Sequence, residues 1–157
     1  LRVAFAVEAT GVAQWCLDTT VDYLKTREQF GRAIGSFQAL AHRAADLAVD
    51  LAAATSTAYY AAWAVAASPA ELPVVAPLAN AVCTEAAYRI AGETIQMHGG
   101  IGFTWEHDAH LYFKRATALR LLLGDAHRQR ALVAARAGQF RGCRPSTRSV
   151  VGRRMRR

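Results

Sequence analysis

The spacing of apolar and polar positions predicts long helices along most of this chain. From residue 2 to about residue 26, residues such as Val3, Val7, Val21 and Leu24 recur at intervals that fit one helical face, as in an amphipathic helix. The next stretch, KTREQFGRAIGSF, interrupts the pattern with two glycines and predicts a loop. No stretch alternates with period two for long enough to indicate a sheet.

Four further helices follow from the same reasoning. Ser36 is a candidate N-cap for a second helix that runs to about residue 67, and SPAELPVVAP marks the next break. A third helix continues to His98, and a short one covers about residues 107–118. Asp125 is a candidate cap for the last helix, which Gly138 would end. The pattern predicts an all-α, up-and-down bundle of three long and two short helices over residues 1–138.

The charge of the chain is concentrated at one end. All 12 Asp and Glu precede Phe140, and 12 of the 19 Lys and Arg do so too, which makes residues 1–140 neutral. The net charge of +7 comes from the remaining arginines, at positions 141, 144, 148, 153, 154, 156 and 157. We expect residues 139–157 to be a basic, disordered, solvated tail. Contact with nucleic acid or anionic lipid is the alternative; we expect no nucleic-acid partner.

Cysteine use and hydropathy indicate the setting of the protein. Cys16, Cys83 and Cys143 are odd in number and far apart, without a CxxC pair, so we expect reduced thiols and a cytoplasmic location. No apolar run reaches the roughly 18–20 residues that span a bilayer. The first residues have no initiator Met and read as the middle of a helix, so we expect the chain to begin inside a longer protein.

Metal and Rossmann-type sites find little support. No Glu is followed by His three residues later, which argues against a di-iron bundle. His107, Asp108 and His110 offer two imidazoles one turn apart but no third firm ligand, and we predict no metal. A dinucleotide-binding GxGxxG loop is rejected because Trp105 stands at its third glycine and no strand precedes it.

Two stretches remain open on their local chemistry. QMHGGIGF, ending the third helix, could be a helix cap or a place where backbone approaches a ligand, and the cap is favoured. KTREQFG contains three residues that could face a ligand. Arg27 could bind a phosphate, Phe30 could stack on a ring, and Gly31 would let the ligand approach the backbone closely. By itself, a solvated Arg in a turn is the commoner outcome.

Taken together, the two stretches resemble one family. YLKTREQFGRAIGSFQALAHRAADLA and AYRIAGETIQMHGGIGFTWEHDAHLYFKRA are similar to two long motifs of acyl-CoA dehydrogenases, in the family's order and separation. The resemblance covers about residues 1–137 and is to the C-terminal helical domain. It implies an FAD-dependent enzyme that oxidises acyl-CoA thioesters to 2,3-enoyl-CoA, and a homo- or hetero-oligomer, dimer or tetramer, in which this domain covers the flavin and serves a neighbouring subunit's flavin.

The resemblance also assigns residues. Arg27 would pair with the FAD pyrophosphate, with Phe30 and Gln38 beside it. The adenine–ribose end would lie against Gln96, Met97, His98, Gly99 and Gly100. The start of the last helix would touch the same flavin through Asp125, Ala126 and His127.

The expected catalytic base is missing from both places where the family keeps it. Leu123 stands at the usual Glu position, and Leu1 stands at the alternative position before Arg2, which the resemblance assigns to substrate binding. Leucine cannot accept a proton; Asp125 is offset by two residues. The chain could belong to an active dehydrogenase with a base from elsewhere, to a base-less subunit of a hetero-oligomeric actinobacterial enzyme, or to a helical interaction module. We expect the 157-residue chain by itself to be inactive.

Overall fold

Five α-helices form the computed structural model, which describes residues 1–137. They are α1 (Arg2–Thr26), α2 (Gln38–Ala67), α3 (Leu72–His98), α4 (Ala109–Leu122) and α5 (Ala126–Ala137). The predicted all-α bundle of three long and two short helices is confirmed. The proposed basic tail and the Gly138 helix end lie outside the described residues.

Side-chain contacts give the direction of each helix. Thr20 of α1 bonds Thr94 of α3, at 3.1 Å between their hydroxyl oxygens, and Tyr23 stacks on His98, so α1 and α3 run parallel. α2 connects them in the opposite direction. Trp15 stacks on Tyr112 with ring centroids 3.6 Å apart, which places α4 against α1. α3 contacts the other four helices and is the centre of the bundle.

Small side chains let the helices approach closely. Much of the buried core of α1 and α3 is alanine, with Ala9, Ala13, Ala87 and Ala91 without solvent exposure. Larger apolar residues, Leu47, Ile90 and Leu119 among them, fill the spaces between helices. The hydroxyls of the buried Thr20 and Thr94 donate to helix carbonyls, so these two polar groups are paired within the core.

The cysteines within the described residues are structural. Cys16 and Cys83 are free and buried. Burial raises the pKa of the Cys16 thiol to about 12, against the opposing effect of a hydrogen bond with Thr94. A thiol with so high a pKa is a poor nucleophile at neutral pH.

Several element boundaries differ from the sequence prediction. Ser36 does not cap α2: Phe37 occupies the N-cap position, while the Ser36 hydroxyl donates to the Ala33 carbonyl at 2.6 Å. The loop after α1 contains two short antiparallel strands, β1 (Glu28–Gln29) and β2 (Arg32–Ala33), which the sequence did not indicate. α4 extends to Leu122, four residues beyond the predicted end. No helix within residues 1–137 is long and apolar enough to cross a membrane.

Candidate functional site

The Arg27 loop is a tight hairpin at the end of α1. The Arg27 amide donates to the Tyr23 carbonyl at 2.9 Å, and the Ile34 amide returns to the Arg27 carbonyl at 2.8 Å. Between them β1 and β2 pair, and Phe30 and Gly31 form the two-residue turn with φ of 54° and 76°. Positive φ at both positions is the geometry of a type I′ hairpin turn.

Phe30 is unusual in this turn. A bulky residue other than glycine rarely adopts positive φ, and such strain is concentrated at functional sites. The Phe30 ring is 92% exposed and meets only the edge of Phe37, at 6.1 Å between ring centroids. The loop thus presents a strained, exposed aromatic ring next to the exposed Arg27 side chain.

Close backbone packing holds this loop on α1. A Cβ added at Gly35 would lie 2.8 Å from the Leu24 carbonyl oxygen, so only glycine fits there. Gln38 follows as the first residue of α2, with its side chain exposed. Arg27 and Phe30 therefore lie on one solvent-facing loop, and Gln38 is exposed at the start of the helix that follows it.

The second motif lies at the end of α3. Gly99 ends the helix with φ of 62°, which confirms the favoured cap. Gly100 has no such conformational requirement, and a Cβ added there would meet no atom within 4 Å. No contact within residues 1–137 therefore requires a glycine at Gly100, and its exposed backbone is accessible to a ligand. Gln96 is also exposed, whereas Met97 and His98 are buried.

A column of three rings connects the two motifs. Tyr23, on the last turn of α1, stacks on His98 at 4.4 Å between ring centroids, and His98 meets the His107 ring at 4.3 Å. His98 is 3% exposed. Burial lowers the pKa of His98, the nearby His107 lowers it further, and a hydrogen bond to the Thr94 carbonyl opposes both. The column places the Arg27 loop and the Gly99–Gly100 backbone at the same end of the bundle.

The third group of predicted residues lies at the other end of α1. Asp125 caps α5, as predicted: its carboxylate accepts the Arg128 amide at 2.8 Å. Ala126 is buried and His127 is exposed. Arg2, at the start of α1, reaches Gln129 of α5 at 2.9 Å between Nε and Oε1. Since α1 has 25 residues, roughly 35–40 Å separates its ends, and one chain cannot bring Arg27 and Asp125 together.

Gln129 is a buried residue that the sequence reasoning missed. Its Nε2 donates to the Leu123 carbonyl at 2.5 Å, while its Oε1 accepts from Arg2. Gln129 thereby connects the two expected base positions: it donates to Leu123 at one of them and accepts from Arg2, the neighbour of Leu1 at the other. No sequence signal pointed to Gln129, because a polar residue in an Arg-rich helix reads as surface.

Neither of the two positions expected for the catalytic base carries a side chain that can accept a proton. Leu123 is partly buried and Leu1 is exposed, and one oxygen of the exposed Asp125 carboxylate accepts the capping bond from the Arg128 amide. Within residues 1–137, no group of three or more His, Cys, Asp or Glu side chains is placed to hold a metal ion.

Comparison with known proteins identifies the family of the chain. A family model described as the acyl-CoA dehydrogenase C-terminal domain matches residues 1–138. The chain is 50% identical over 121 residues to acyl-CoA dehydrogenase IpdE2 of Mycobacterium tuberculosis, covering 77% of this chain and 36% of that protein. It is 37% identical over 117 residues to the mitochondrial short/branched chain specific acyl-CoA dehydrogenase of Bos taurus, covering 73% and 26%.

Solved structures share the fold. A chain of the ChsE4-ChsE5 complex from M. tuberculosis is 34% identical with a TM-score of 0.82, over 88% of this chain and 37% of that one. A glutaryl-coenzyme A dehydrogenase in complex with glutaryl-CoA is 28% identical with a TM-score of 0.83, over 89% and 35%. The chain spans about a third of the length of most of these proteins. It belongs to the acyl-CoA dehydrogenase family and corresponds to the family's C-terminal helical domain.

Proposed function

We propose that this domain holds the adenosine-diphosphate half of FAD in an acyl-CoA dehydrogenase, using the Arg27 loop and the Gly99–Gly100 backbone. Bound FAD supplies the hydride acceptor for oxidation of an acyl-CoA thioester to its 2,3-enoyl form. The guanidinium of Arg27 offers a planar fork for the pyrophosphate, Phe30 lies on the same loop, and Gln38 lies at the start of the helix that follows it.

The open backbone at Gly100 is the observation that carries this proposal. Among the residues that the structure describes, neither a positive φ nor a neighbouring atom requires a glycine at this position. An exposed arginine and a strained, exposed phenylalanine stand at the same end of the bundle. A cationic fork, an aromatic face and bare backbone together fit a ligand that contains both phosphate and a flat ring.

The separation of the predicted residues implies a role for a second subunit. Asp125 and His127 lie roughly one full length of α1 away from Arg27. If both groups contact flavin, one flavin is shared between the Arg27 end of one subunit and the Asp125 end of a neighbour. This reading retains the predicted contacts of both groups and requires an oligomer.

The leucines at both expected base positions favour a hetero-oligomer as the form of that enzyme. Leu1 and Leu123 present no group that could remove the α-proton of a thioester. The structural similarity to a chain of the ChsE4-ChsE5 complex is consistent with a subunit that works with a different partner. We infer that this subunit contributes FAD contacts while the partner contributes the base. Arg2, whose side chain donates to Gln129, remains our candidate for binding the acyl-CoA substrate.

The cofactor assignment is tested by FAD titration of the complete protein that contains this domain. Hydrogen bonds to charged groups contribute roughly 1.5–3 kcal/mol, so Arg27→Ala is expected to weaken FAD binding by about 10- to 150-fold. Arg27→Lys should restore only part, because lysine keeps the charge and loses the fork. Helical content, followed by far-UV circular dichroism, should not change.

Arg89→Ala is the matched control. Arg89 is exposed, pairs with Asp50 at 2.5 Å, and lies in the middle of α3, away from both loops. Equal FAD affinity in Arg27→Ala and the parent protein would show the cofactor assignment to be wrong. If the complete subunit turns over an acyl-CoA without any other chain, the hypothesis of a base-less subunit is wrong, whereas the assignment of the FAD contacts is unaffected.

A further inference from the structure

The His98 imidazole has a fixed tautomer. Its Nδ1 lies 2.7 Å from the Thr94 carbonyl oxygen, and because a carbonyl can only accept, Nδ1 carries the proton. In the neutral ring Nε2 is then a bare acceptor, and within residues 1–137 it has no hydrogen-bond partner. The ring lies between Tyr23 and His107, with almost no exposure.

Protonation of His98 would disturb this arrangement. It would create an N–H at Nε2 and a positive charge in a buried place with no acceptor, which costs free energy. His107 adds repulsion when it is charged too. Two titratable side chains contact the His98 ring, Tyr23 of α1 and His107. The nearest other charged or titratable groups along those segments are Asp22 and Lys25 of α1, Glu106 and Asp108 on either side of His107, and His110 in α4. His98 makes no ion pair among the described residues.

The ring column joins three parts of the chain that the cofactor loops depend on. Tyr23 accepts the Arg27 amide through its carbonyl, His98 immediately precedes Gly99, and His107 follows the segment 99–106. A shift of His98 would therefore change the spacing between the Arg27 loop and the Gly99–Gly100 backbone.

We propose that His98 is a positioning residue. Its neutral ring, packed between Tyr23 and His107, holds the segment 99–107 on the bundle in the arrangement that receives the adenosine-diphosphate half of FAD, and we call this contact the latch. Protonation of His98 releases the latch. The flavin part rests on the proposed function above. The latch itself is a property of the chain alone.

The direction of the pH effect follows from the buried neutral state. The folded-state pKa of His98 is below the unfolded value, so the latch is fully formed above about pH 6.5, the pKa of an unperturbed histidine. It weakens as pH falls from there toward the lowered folded-state pKa. Uptake of one proton weakens the closed state by at most tenfold per pH unit in this window.

The latch is tested by hydrogen exchange in the cofactor-free complete protein. Amide protection of residues 100–107, corrected for the intrinsic exchange rate at each pH, should fall by about two- to fivefold between pH 6.5 and 5.5. In His98→Phe, which keeps a ring between Tyr23 and His107 but cannot be protonated, protection should not depend on pH. His98→Asn, which retains a donor toward Thr94 without the ring, should lower protection at every pH.

His42→Phe is the matched control, because His42 is exposed near the start of α2 and outside the column. It should keep the parent's pH dependence. Protection that does not change with pH in the parent, or that falls equally in His98→Phe, overturns the latch. Since flavin is absent, this holds even if Arg27→Ala shows the cofactor assignment to be wrong.

An FAD titration then tests the connection to the cofactor. The dissociation constant of the parent should rise between pH 6.5 and 5.5 in proportion to the loss of the latched fraction, by up to about fivefold, and that of His98→Phe should change by less than about half as much on a logarithmic scale. If protection depends on His98 but FAD affinity has the same pH dependence in both proteins, His98 does not position the cofactor site.

Discussion

Gly100 and Gly102 are two residues apart, and glycine occupies the two positions for different reasons. A Cβ at Gly102 would lie 2.6 Å from the Ile95 carbonyl oxygen and 3.1 Å from the His98 Cβ, which no side chain could avoid. Gly102 therefore packs the segment against the end of α3. Gly100 faces open space, and we relate its missing side chain to the ligand.

A matched pair of substitutions separates these reasons. Gly102→Ala should destabilise the protein by roughly 1–3 kcal/mol, since the backbone must shift to relieve the overlap. Gly100→Ala should change stability by less than about 0.5 kcal/mol and weaken FAD binding several-fold. Thermal unfolding and FAD titration of both variants make the comparison. A Gly100→Ala protein with unchanged FAD affinity would remove the main support for a backbone cradle.

At the scale of elements, the junction between α4 and α5 depends on one side chain. The buried Gln129 amide donates to the carbonyls of Leu123 and Gly124 at the end of α4, and its oxygen accepts from Arg2 on α1. Carbonyls at the end of a helix lack intrahelical partners. Gln129 supplies that partner from the next helix and connects three helices around the two expected base positions.

Replacing Gln129 should therefore cost more than removing the helix cap. In Gln129→Leu the Leu123 carbonyl and the Arg2 Nε each lose their partner, and we expect a loss of roughly 2–4 kcal/mol. Asp125→Ala should cost about 1 kcal/mol, the usual value for an N-cap. Urea unfolding measures both. As a control, Gln14→Leu removes an exposed glutamine of α1 that bonds only Asp18, with an expected change below about 0.5 kcal/mol. Equal losses in Gln129→Leu and Gln14→Leu would contradict this role.

At the scale of the whole molecule, α2 exposes apolar side chains that the rest of residues 1–137 does not cover. Its buried stripe is narrow and mostly alanine, and large apolar side chains remain exposed on its second half, among them Tyr59, Tyr60, Trp63 and Val65. A groove of about 350 Å³ runs between α1 and α2, lined by Val7, Ala58, Tyr59 and neighbouring small residues. The aromatic residues Tyr59, Tyr60 and Trp63 share one side of α2, and an exposed apolar cluster of this kind indicates an interface.

We therefore expect the complete protein to associate through α2. Tyr59→Glu combined with Trp63→Glu should place charge in the interface and shift the protein toward monomer, because buried unpaired charge costs several kcal/mol. Light scattering at tens of micromolar protein measures the mass. Leu111→Glu, an exposed leucine on α4, is the control and should keep the parent's mass. A parent that is strictly monomeric at this concentration, alone and with any partner subunit, would exclude α2 as an interface.

Local chemistry was enough to predict the helices and one helix cap. The period of apolar residues is a property of each segment, so the helices, the loop after α1 and the Asp125 cap were predicted close to where they occur. The Ser36 cap was wrong because the loop returns to α1 at Gly35, which directs the Ser36 hydroxyl to Ala33 and leaves Phe37 at the cap position.

The amino-acid sequence by itself determined which segments are helical, where the glycine and arginine loops occur, and that leucine stands at both expected base positions. Only the tertiary structure decided which of these residues meet. The Tyr23–His98–His107 column, the burial of Gln129 and the wide separation of Arg27 from Asp125 all depend on how the alanine-rich faces of α1 and α3 pack. Packing joins residues up to 127 positions apart, and a periodic pattern, which describes neighbours along one helix, contains no information about such pairs.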